Sequence, residues 1–182
     1  WGEDRHWGWE SPTCQVRGQF LGHWLSAAAR IAETGDDYEV RAKLNRVVAE
    51  LARCQQANGG EWVASIPPSY LEWTAKGQPT WAPHYVVHKT LMGLFDAFAV
   101  SGNEQALQVL SKAAKWFVRW TSKFDRDTMN DILDTETGGM LELWANLYGV
   151  TGKQEHLDLV YRYDRPRLFD RLLNGEDPLT NQ

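Results

Sequence analysis

The stretch WAPHYVVHKTLMGLFDAF, residues 81–98, carries two patterns in one segment. Its later part repeats apolar residues at the three- and four-residue spacing of a helix that packs in a core. Its first turns instead hold aromatic rings and two histidines, His84 and His88. The segment therefore predicts a buried helix whose beginning borders a binding surface.

The same helical spacing extends along most of the chain, as in FLGHWLSAAARIAE and VVAELARC, whereas the alternation typical of strands is scarce. The sequence therefore predicts an all-α fold. The predicted helices cover residues 15–34, 38–58, 84–101, 104–122, 138–151, 154–164 and 166–174.

Three similar links separate successive helices: TGDD at 34–37, SGNE at 101–104 and TGKQ at 151–154. Gly35, Gly102 and Gly152 suit the left-handed conformation that ends a helix, and Asp36 or Asn103 can cap the helix that follows. The links predict a series of antiparallel αα-hairpins. Their unequal spacing excludes a strict solenoid repeat but fits a toroid of helix pairs.

Residues 59–80 interrupt this series. A Gly-Gly pair at 59–60 and a Pro-Pro pair at 67–68 predict a long loop without regular helix. Loops of this length are usually functional or disordered. The aromatic residues of this one favour the functional interpretation: Trp62, Tyr70 and Trp73.

The composition sets limits on the kind of protein. The 182 residues are 43% hydrophobic and 24% charged, as expected for a single globular domain over residues 1–182. The net charge of -5 argues against a nucleic-acid partner, because that affinity depends on concentrated Lys and Arg. No apolar run approaches the roughly 20 residues of a membrane-spanning helix, so we expect a soluble, cytoplasmic protein. Cys14 and Cys54 lack CxxC or zinc-type spacing, and we expect free, largely buried thiols.

The segments that precede every second helix are rich in aromatic, histidine or acidic residues. In a toroid, inner and outer helices alternate, so these segments converge on one mouth: WGWESPTC, GQPTWAPHYVVHK and DILDTETGGMLE. Aromatic rings supply stacking area, and imidazole can donate to one hydroxyl and accept from another. We therefore predict a carbohydrate-binding pocket. Its predicted residues are Trp9, Trp81, Tyr85 and His88, with Glu142 and His23 as weaker candidates.

The histidines also have other interpretations. His84 and His88 have the i, i+4 spacing of a two-histidine metal site, but the intervening Glu and an evident third ligand are missing, so no metal is predicted. A hydrogen-bonded packing role for His88 suits the residue types as well as a pocket role does. For His23, which follows Gly22, a satisfied position between two helices is favoured.

Three acidic residues also have both a functional and a structural interpretation. Glu10 can accept from ligand hydroxyls or cap backbone N–H groups. Glu136 and Glu142 flank the pair Gly138 and Gly139, and two carboxylates beside a pocket suggest the acid/base pair of glycoside hydrolysis. Glu136 equally suits a helix start. Glu142 lies among apolar residues, where an acid needs a partner. Without a Ser-His-Asp arrangement, phosphate loop or Cys/His cluster, no catalytic residue is assigned.

Three long motifs, taken in order, resemble the N-terminal helical region of the β-L-arabinofuranosidase-like proteins, glycoside hydrolase family 127 and its relatives. They are GWESPTCQVRGQFLGHWLSAAARIAETGDD, WAPHYVVHKTLMGLFDAF and ETGGMLELWANLYGVTGK. The resemblance runs from about Gly8 to the last residue. It implies an (α/α)6 toroid whose cavity holds a terminal arabinofuranose, with smaller β-sandwich domains after it. It also implies that His88 faces the sugar.

In characterised relatives, catalysis is attributed to a cysteine nucleophile in a zinc site of cysteines and a glutamate, with another glutamate as acid/base. The resemblance places those residues beyond this sequence, because the family continues from a stretch like LFDRLLNGEDPLTN into the second half of the toroid. Neither Cys14 nor Cys54 matches the catalytic cysteine. We therefore expect about half of a toroid that holds no cofactor and lacks hydrolase activity by itself, with zinc in the full-length protein.

An incomplete toroid leaves inner-helix faces uncovered, so we expect self-association through them. The predicted function is that of a glycoside hydrolase fragment which carries part of the pocket for terminal L-arabinofuranosyl or related residues of glycans. A non-catalytic carbohydrate-binding or scaffolding helical module is the alternative. Another chemistry on the same toroid, such as epimerisation or polysaccharide lysis, is a third option, since a fold does not fix a function.

Overall fold

Helices dominate the computed structural model, which describes residues 7–35 and 37–178. After a short 3-10 helix at Gly8–Glu10, the helices are α1 (Gln19–Thr34), α2 (Tyr38–Ala57), α3 (Ser69–Ala75), α4 (Pro83–Ala99), α5 (Glu104–Thr121), α6 (Arg126–Thr135), α7 (Met140–Thr151), α8 (Gln154–Tyr163) and α9 (Pro166–Leu173). Within the described ranges there is no β-strand. The predicted all-α fold is confirmed.

The long helices form two layers. An inner layer consists of α1, α4 and α7, in which α4 lies between the other two. Each inner helix packs against the outer helix that follows it, and the outer helices α2, α5 and α8 pack side by side in the same order. Antiparallel hairpins arranged in this way form about half of an (α/α)6 toroid, as predicted.

The predicted links are confirmed at two of three glycines. Gly102 and Gly152 are left-handed, with φ of 72° and 62°. Gly35 is extended instead, with φ -133°, so the prediction of a left-handed end to α1 was wrong. Asn103 caps α5 through the Ala106 N–H at 2.9 Å. Asp36, the other predicted cap, lies outside the described residues.

Asp37 takes the place of that cap in the first link. Its side chain accepts hydrogen bonds from the N–H groups of Glu39 and Val40 in the first turn of α2. The start of α1 also differs from the prediction, since the helix begins at Gln19 rather than at residue 15. Gly18 explains the shift, because its left-handed backbone (φ 84°) interrupts the helix.

Two short helices were not predicted. α3 lies inside the stretch expected to lack helix, and it begins directly after the prolines, with Pro68 at its N-cap. Proline disfavours a helix interior but not a helix start, so the Pro-Pro pair opens α3 rather than excluding it. α6 begins at the Asp125 cap, which accepts from the Thr128 N–H at 2.8 Å. Each hairpin is thus followed by a short helix, and α3 packs against α6.

Glycines bring α1 and α4 into backbone contact. A Cβ on Gly22 would lie 1.9 Å from the Lys89 carbonyl oxygen, and one on Gly93 would lie 2.7 Å from the Gly22 carbonyl oxygen. Only glycine fits such an approach. The neighbouring His23 is exposed, so the favoured interhelical position for it was wrong. The residue lies one position past the contact and points away from it.

Aromatic side chains fill the core between the layers. The Trp116 and Trp120 rings stack with centroids 5.7 Å apart, and Phe117 packs on Trp144 at 5.2 Å. Trp62 is buried here and donates its indole N–H to the Ile66 carbonyl at 2.7 Å. Its role in the 59–80 segment is therefore packing. Several of the ten tryptophans are explained by this core rather than by ring-stacking sites.

The remaining predictions from composition have mixed outcomes. Both cysteines are free, but Cys14 is half-buried and Cys54 exposed, so the expected burial was wrong. Cys54 faces solvent because it lies on the outer side of α2. In the part of the chain that the structure describes, no helix is long and apolar enough to cross a membrane.

Candidate functional site

The site begins with a carboxylate that caps a neighbouring helix. Glu136 precedes α7, yet its two carboxylate oxygens accept from the N–H groups of His84 and Tyr85, each at 2.7 Å. These N–H groups belong to the first turn of α4, where backbone donors have no partner within the helix. The dipole of α4 favours a negative charge at this end. Glu136 therefore joins the start of α7 to the start of α4.

His84 extends this contact into the core. Its Nδ1 lies 3.0 Å from the Glu136 carboxylate and its Nε2 lies 3.2 Å from the Tyr163 hydroxyl. With the proton on Nδ1, the ring donates to Glu136 and accepts from Tyr163. Burial raises the pKa of Tyr163 well above its usual value, which keeps the hydroxyl protonated as a donor. His84 is thus a satisfied structural residue that links α4, α8 and the entry to α7.

The glycine pair after Glu136 lies across α4. A Cβ on Gly138 would be 3.1 Å from the Tyr85 nitrogen, and one on Gly139 would be 2.5 Å from the His88 Nε2. Gly138 also has a left-handed backbone, φ 55°. The loop therefore packs directly on the His88 ring, which only a residue without a side chain permits.

His88 borders a polar cavity of about 160 Å³ on the inner face. The cavity is lined by Arg30 of α1, by His88, Met92, Phe95 and Asp96 of α4, and by Glu142, Leu143 and Asn146 of α7. Arg30 and Asp96 form a salt bridge of 2.9 Å across its border. This volume is smaller than the roughly 300–1,000 Å³ of pockets for drug-sized ligands, so it suits a single small polar molecule.

The His88 ring has an unusual environment. The residue is 6% exposed, and its Nδ1 has no hydrogen-bond partner among the residues that the structure describes. Burial, and then the charge of Lys89, lower the pKa of His88 to about 4, although Glu136 opposes the shift. The ring is therefore neutral at neutral pH and presents one donor and one acceptor. A buried polar atom without a partner carries a free-energy cost.

Two larger depressions lie nearby. One of about 430 Å³ runs between the start of α7 and α9, and its lining also includes Glu142. Another of about 580 Å³ follows the exposed α9, where Arg165 and Arg167 pair with acidic residues of α6. Their size alone does not indicate chemistry. The smaller cavity is the candidate site because a neutral imidazole lines it together with the Glu142 carboxylate and the Asn146 amide.

The predicted aromatic residues lie at the mouth rather than in this cavity. Trp9 and Trp81 are 64% and 52% exposed, and their rings meet edge to face with centroids 6.2 Å apart. Tyr85 is half-buried, with the Lys89 ammonium 5.2 Å from its ring centroid. The structure thus brings His88 and Glu142 together in one cavity. It places Trp9 and Trp81 together at the N-terminal ends of the inner helices.

The other candidate residues, Glu10, His23 and Glu136, are absent from the lining of the cavity. Glu10 accepts from the Gly18 N–H at 2.6 Å, which favours the backbone-capping alternative. His23 is exposed and is absent from the cavity lining. Glu136 does not form an acid/base pair with Glu142, because both of its oxygens are bound to backbone N–H groups. Arg30, Asp96 and Asn146 were missed, because helical spacing alone does not show which polar residues of an inner helix converge with those of its neighbours.

No group of three or more His, Cys, Asp or Glu side chains in residues 7–35 and 37–178 is arranged to hold a metal ion. His84 is already bound to Glu136 and Tyr163, and the Gly139 loop packs against the His88 ring. The described residues therefore do not fit a zinc ion, and no catalytic step involving one is assigned to them.

Helix pairs packed in two layers, with the inner helices α1, α4 and α7 side by side, define the class of the chain as an α/α toroid. The family described as β-L-arabinofuranosidase, GH127 catalytic domain, matches residues 3–182. The chain belongs to this glycoside hydrolase family, as its motifs indicated. No curated protein matches it significantly.

Proposed function

We propose that this chain forms part of the sugar pocket of a glycoside hydrolase that acts on terminal L-arabinofuranosyl or related residues of glycans. The observation that carries the proposal is the neutral His88 imidazole, which lines a polar cavity of about 160 Å³ together with Glu142 and Asn146. Membership of the GH127 family supports the sugar class.

The polar groups of the cavity complement a monosaccharide. A neutral imidazole offers a donor and an acceptor, the Glu142 carboxylate accepts, and the Asn146 amide does both. Met92 and Phe95 provide apolar surface for the C–H groups of a sugar ring. The Arg30–Asp96 salt bridge closes one side and holds α1 against α4. Such a small number of directed polar groups in a confined space is typical of ligand sites.

In this proposal, the described residues do not supply the nucleophile that catalysis requires. Cys14 and Cys54 lie far apart in sequence and have no role in the cavity lining. We therefore assign the chain to substrate binding and leave the cysteine nucleophile and zinc site of the family outside it. The alternative is a non-catalytic carbohydrate-binding module. The observation in its favour is that the Glu136 carboxylate lies outside the cavity lining and is engaged by backbone donors.

The test is calorimetric titration of the chain with methyl L-arabinofuranosides of both anomers. Methyl xylosides and methyl galactosides serve as competing sugars. Replacing the exposed Glu142 with Gln leaves the core intact, and His88→Ala removes the imidazole. Both variants are expected to weaken arabinofuranoside binding by roughly 10-fold, the loss of about one hydrogen bond to a charged or buried group. Glu33→Gln, an exposed site on the same inner layer, is the matched control.

Selective arabinofuranoside binding that both pocket variants weaken would support the proposal. Equal affinity for all sugars, or wild-type affinity in both variants, would remove the cavity from substrate binding. Hydrolysis of aryl L-arabinofuranosides by a protein that contains this chain would separate the hydrolase from the alternative, because a binding module gives affinity without turnover.

A further inference from the structure

A second aromatic feature at the mouth is not explained by the cavity. Trp9 comes from the segment before α1 and Trp81 from the segment before α4, and their ring planes are 88° apart. Both side chains are more than half exposed. Large aromatic rings normally bury much of their area, so two exposed rings in contact form a surface that suits a ligand with an apolar face.

The backbone around the pair is held in place. The Trp81 N–H donates to the side-chain oxygen of Gln15 at 2.7 Å, which ties the two segments together. The Glu10 carboxylate next to Trp9 accepts from the Gly18 N–H at 2.6 Å. Both rings are therefore attached to anchored backbone at the start of an inner helix.

The backbone of Ala82, the residue that follows Trp81, is strained. Its backbone is left-handed, φ 48° and ψ 51°, and it is the one non-glycine residue with positive φ within the described ranges. An alanine in this conformation is unfavourable, and such strain tends to persist where the surrounding structure or a function requires it. Here it turns the chain sharply between Trp81 and Pro83, and so determines where the indole stands relative to α4.

The pair lies on the approach to the His88 cavity. Trp81 precedes α4 by two residues, and His88 follows Pro83 by five. At 1.5 Å per helical residue, the backbones of Pro83 and His88 are separated by roughly 7 Å along the helix axis, and Trp81 lies two residues before Pro83. A glycan of two or more residues has the length to contact both places.

We propose that Trp9 and Trp81 form an outer carbohydrate subsite, a stacking platform for the glycan residues next to the terminal sugar held at His88. The inference deepens the proposed function and rests on it. The platform contacts the C–H faces of rings, so it adds affinity for oligosaccharides while leaving the terminal sugar to the directed polar groups. Tyr70 and Trp73, which stack with centroids 4.9 Å apart on α3, provide an aromatic pair outside the platform for comparison.

The experiment compares two ligands by calorimetry: a methyl L-arabinofuranoside and an arabino-oligosaccharide of two to four residues. Trp9→Ala and Trp81→Ala are expected to weaken oligosaccharide binding by roughly 3- to 10-fold and to leave the methyl glycoside unchanged. His88→Ala is expected to weaken both ligands. Trp73→Ala, at an exposed tryptophan on α3, is the matched control and is expected to change neither.

The outcomes separate the two proposals. Equal oligosaccharide affinity in wild type, Trp9→Ala and Trp81→Ala overturns the platform, while loss of both ligands in His88→Ala still supports the pocket. Oligosaccharide binding that needs the tryptophans but not His88 supports the platform and overturns the pocket. Thermal unfolding of each variant identifies folding defects, and Trp81→Phe, which keeps an aromatic face, is expected to restore most of the affinity.

Discussion

Gly139 lies against the imidazole of His88 so closely that a Cβ on this glycine would be 2.5 Å from both Nε2 and Cε1 of the ring. The contact joins the entry of α7 to the second turn of α4. The Nδ1 of the ring is buried and has no hydrogen-bond partner among the described residues. The position of His88 is therefore determined by a neighbouring loop as well as by its own helix.

Replacing Gly139 with Ala tests this contact. The added methyl group must displace either the loop or the ring, and we expect a loss of roughly 1–3 kcal/mol in the free energy of unfolding. Gly149→Ala on the same helix is the control, because a Cβ there meets nothing within 4 Å. That substitution is expected to stabilise by about 0.5–1 kcal/mol. Urea unfolding measures both, and equal effects would show that the loop is not packed on His88.

The free energy of unfolding should fall in mild acid because of His88. Its pKa is about 4 in the folded protein and about 6.5 in an unfolded chain, so between these values the unfolded state binds more protons. Stability from this residue is complete above about pH 6.5 and decreases as the pH falls toward 4, by at most about 3 kcal/mol. His88→Gln should flatten the pH dependence measured by urea unfolding.

The buried His156 also has a pKa lowered by burial, so His88→Gln should remove only part of this acid sensitivity. His23→Gln is the control at an exposed histidine and is expected to keep the wild-type pH dependence. An unchanged slope in His88→Gln would show that the imidazole is not buried in solution.

Glu136 should be important for stability although it lies in a link. Glu136→Ala leaves the N–H groups of His84 and Tyr85 without their acceptor, and His84 also loses a partner for Nδ1. We expect a loss of roughly 1–3 kcal/mol. Glu50→Ala, whose carboxylate forms an exposed pair with Arg53 on α2, should cost less than about 1 kcal/mol. A small effect at Glu136 would mean that water replaces its hydrogen bonds to α4.

Ala82→Gly should raise the free energy of unfolding. Glycine accepts the left-handed backbone of this position without the strain of about 1–2 kcal/mol that an L-residue carries. After the larger entropy of a glycine in the unfolded chain is subtracted, a gain of roughly 0.5 kcal/mol remains. Ala27→Gly, at an exposed position inside α1, is the matched control and should destabilise by about 0.5–1 kcal/mol. Thermal unfolding of the two variants should give midpoint changes of opposite sign.

We expect the chain to self-associate through exposed apolar side chains of its inner helices. Phe20 and Ile31 are 67% and 47% exposed and lie eleven residues apart, on the same face of α1, and Val150 of α7 is 46% exposed. Sedimentation velocity should show association that increases with concentration, and the Phe20→Ser, Ile31→Lys double variant should reduce it. Tyr38→Ser, at an exposed site on the outer helix α2, should not. A monodisperse wild-type monomer at high concentration would contradict the expectation.

The long helices and their pairing could be read from the sequence because they depend on local patterns. Apolar spacing identified all three hairpins, and Asn103 was recognisable as a cap because its target, Ala106, is three residues away. The short α3 and α6 were missed for the same reason. Their few turns contain too little repetition to show a period, and the Pro-Pro pair before α3 was interpreted as a break rather than a start.

The candidate site was predicted only in part. His88 and Glu142 were named from their chemistry, and the structure places them in one cavity. Trp9 and Trp81 were assigned to the same pocket, but neither lines this cavity, because each belongs to a segment that ends before its inner helix begins. Burial of Trp62 and exposure of His23 were not predictable, since a residue type does not state which side of a helix or loop meets another layer.

The sequence by itself determined the class of fold, the hairpin order and the family, because helical periodicity, caps and motifs depend only on residues that are close together in the chain. The tertiary structure alone decided what each polar group does. Glu136 could be assigned to the start of α4, fifty-two residues earlier in the chain, only when α4 and α7 were packed together. Likewise, the neutral state of His88 follows from burial beneath Gly139, a property of contacts between helices rather than of residue order.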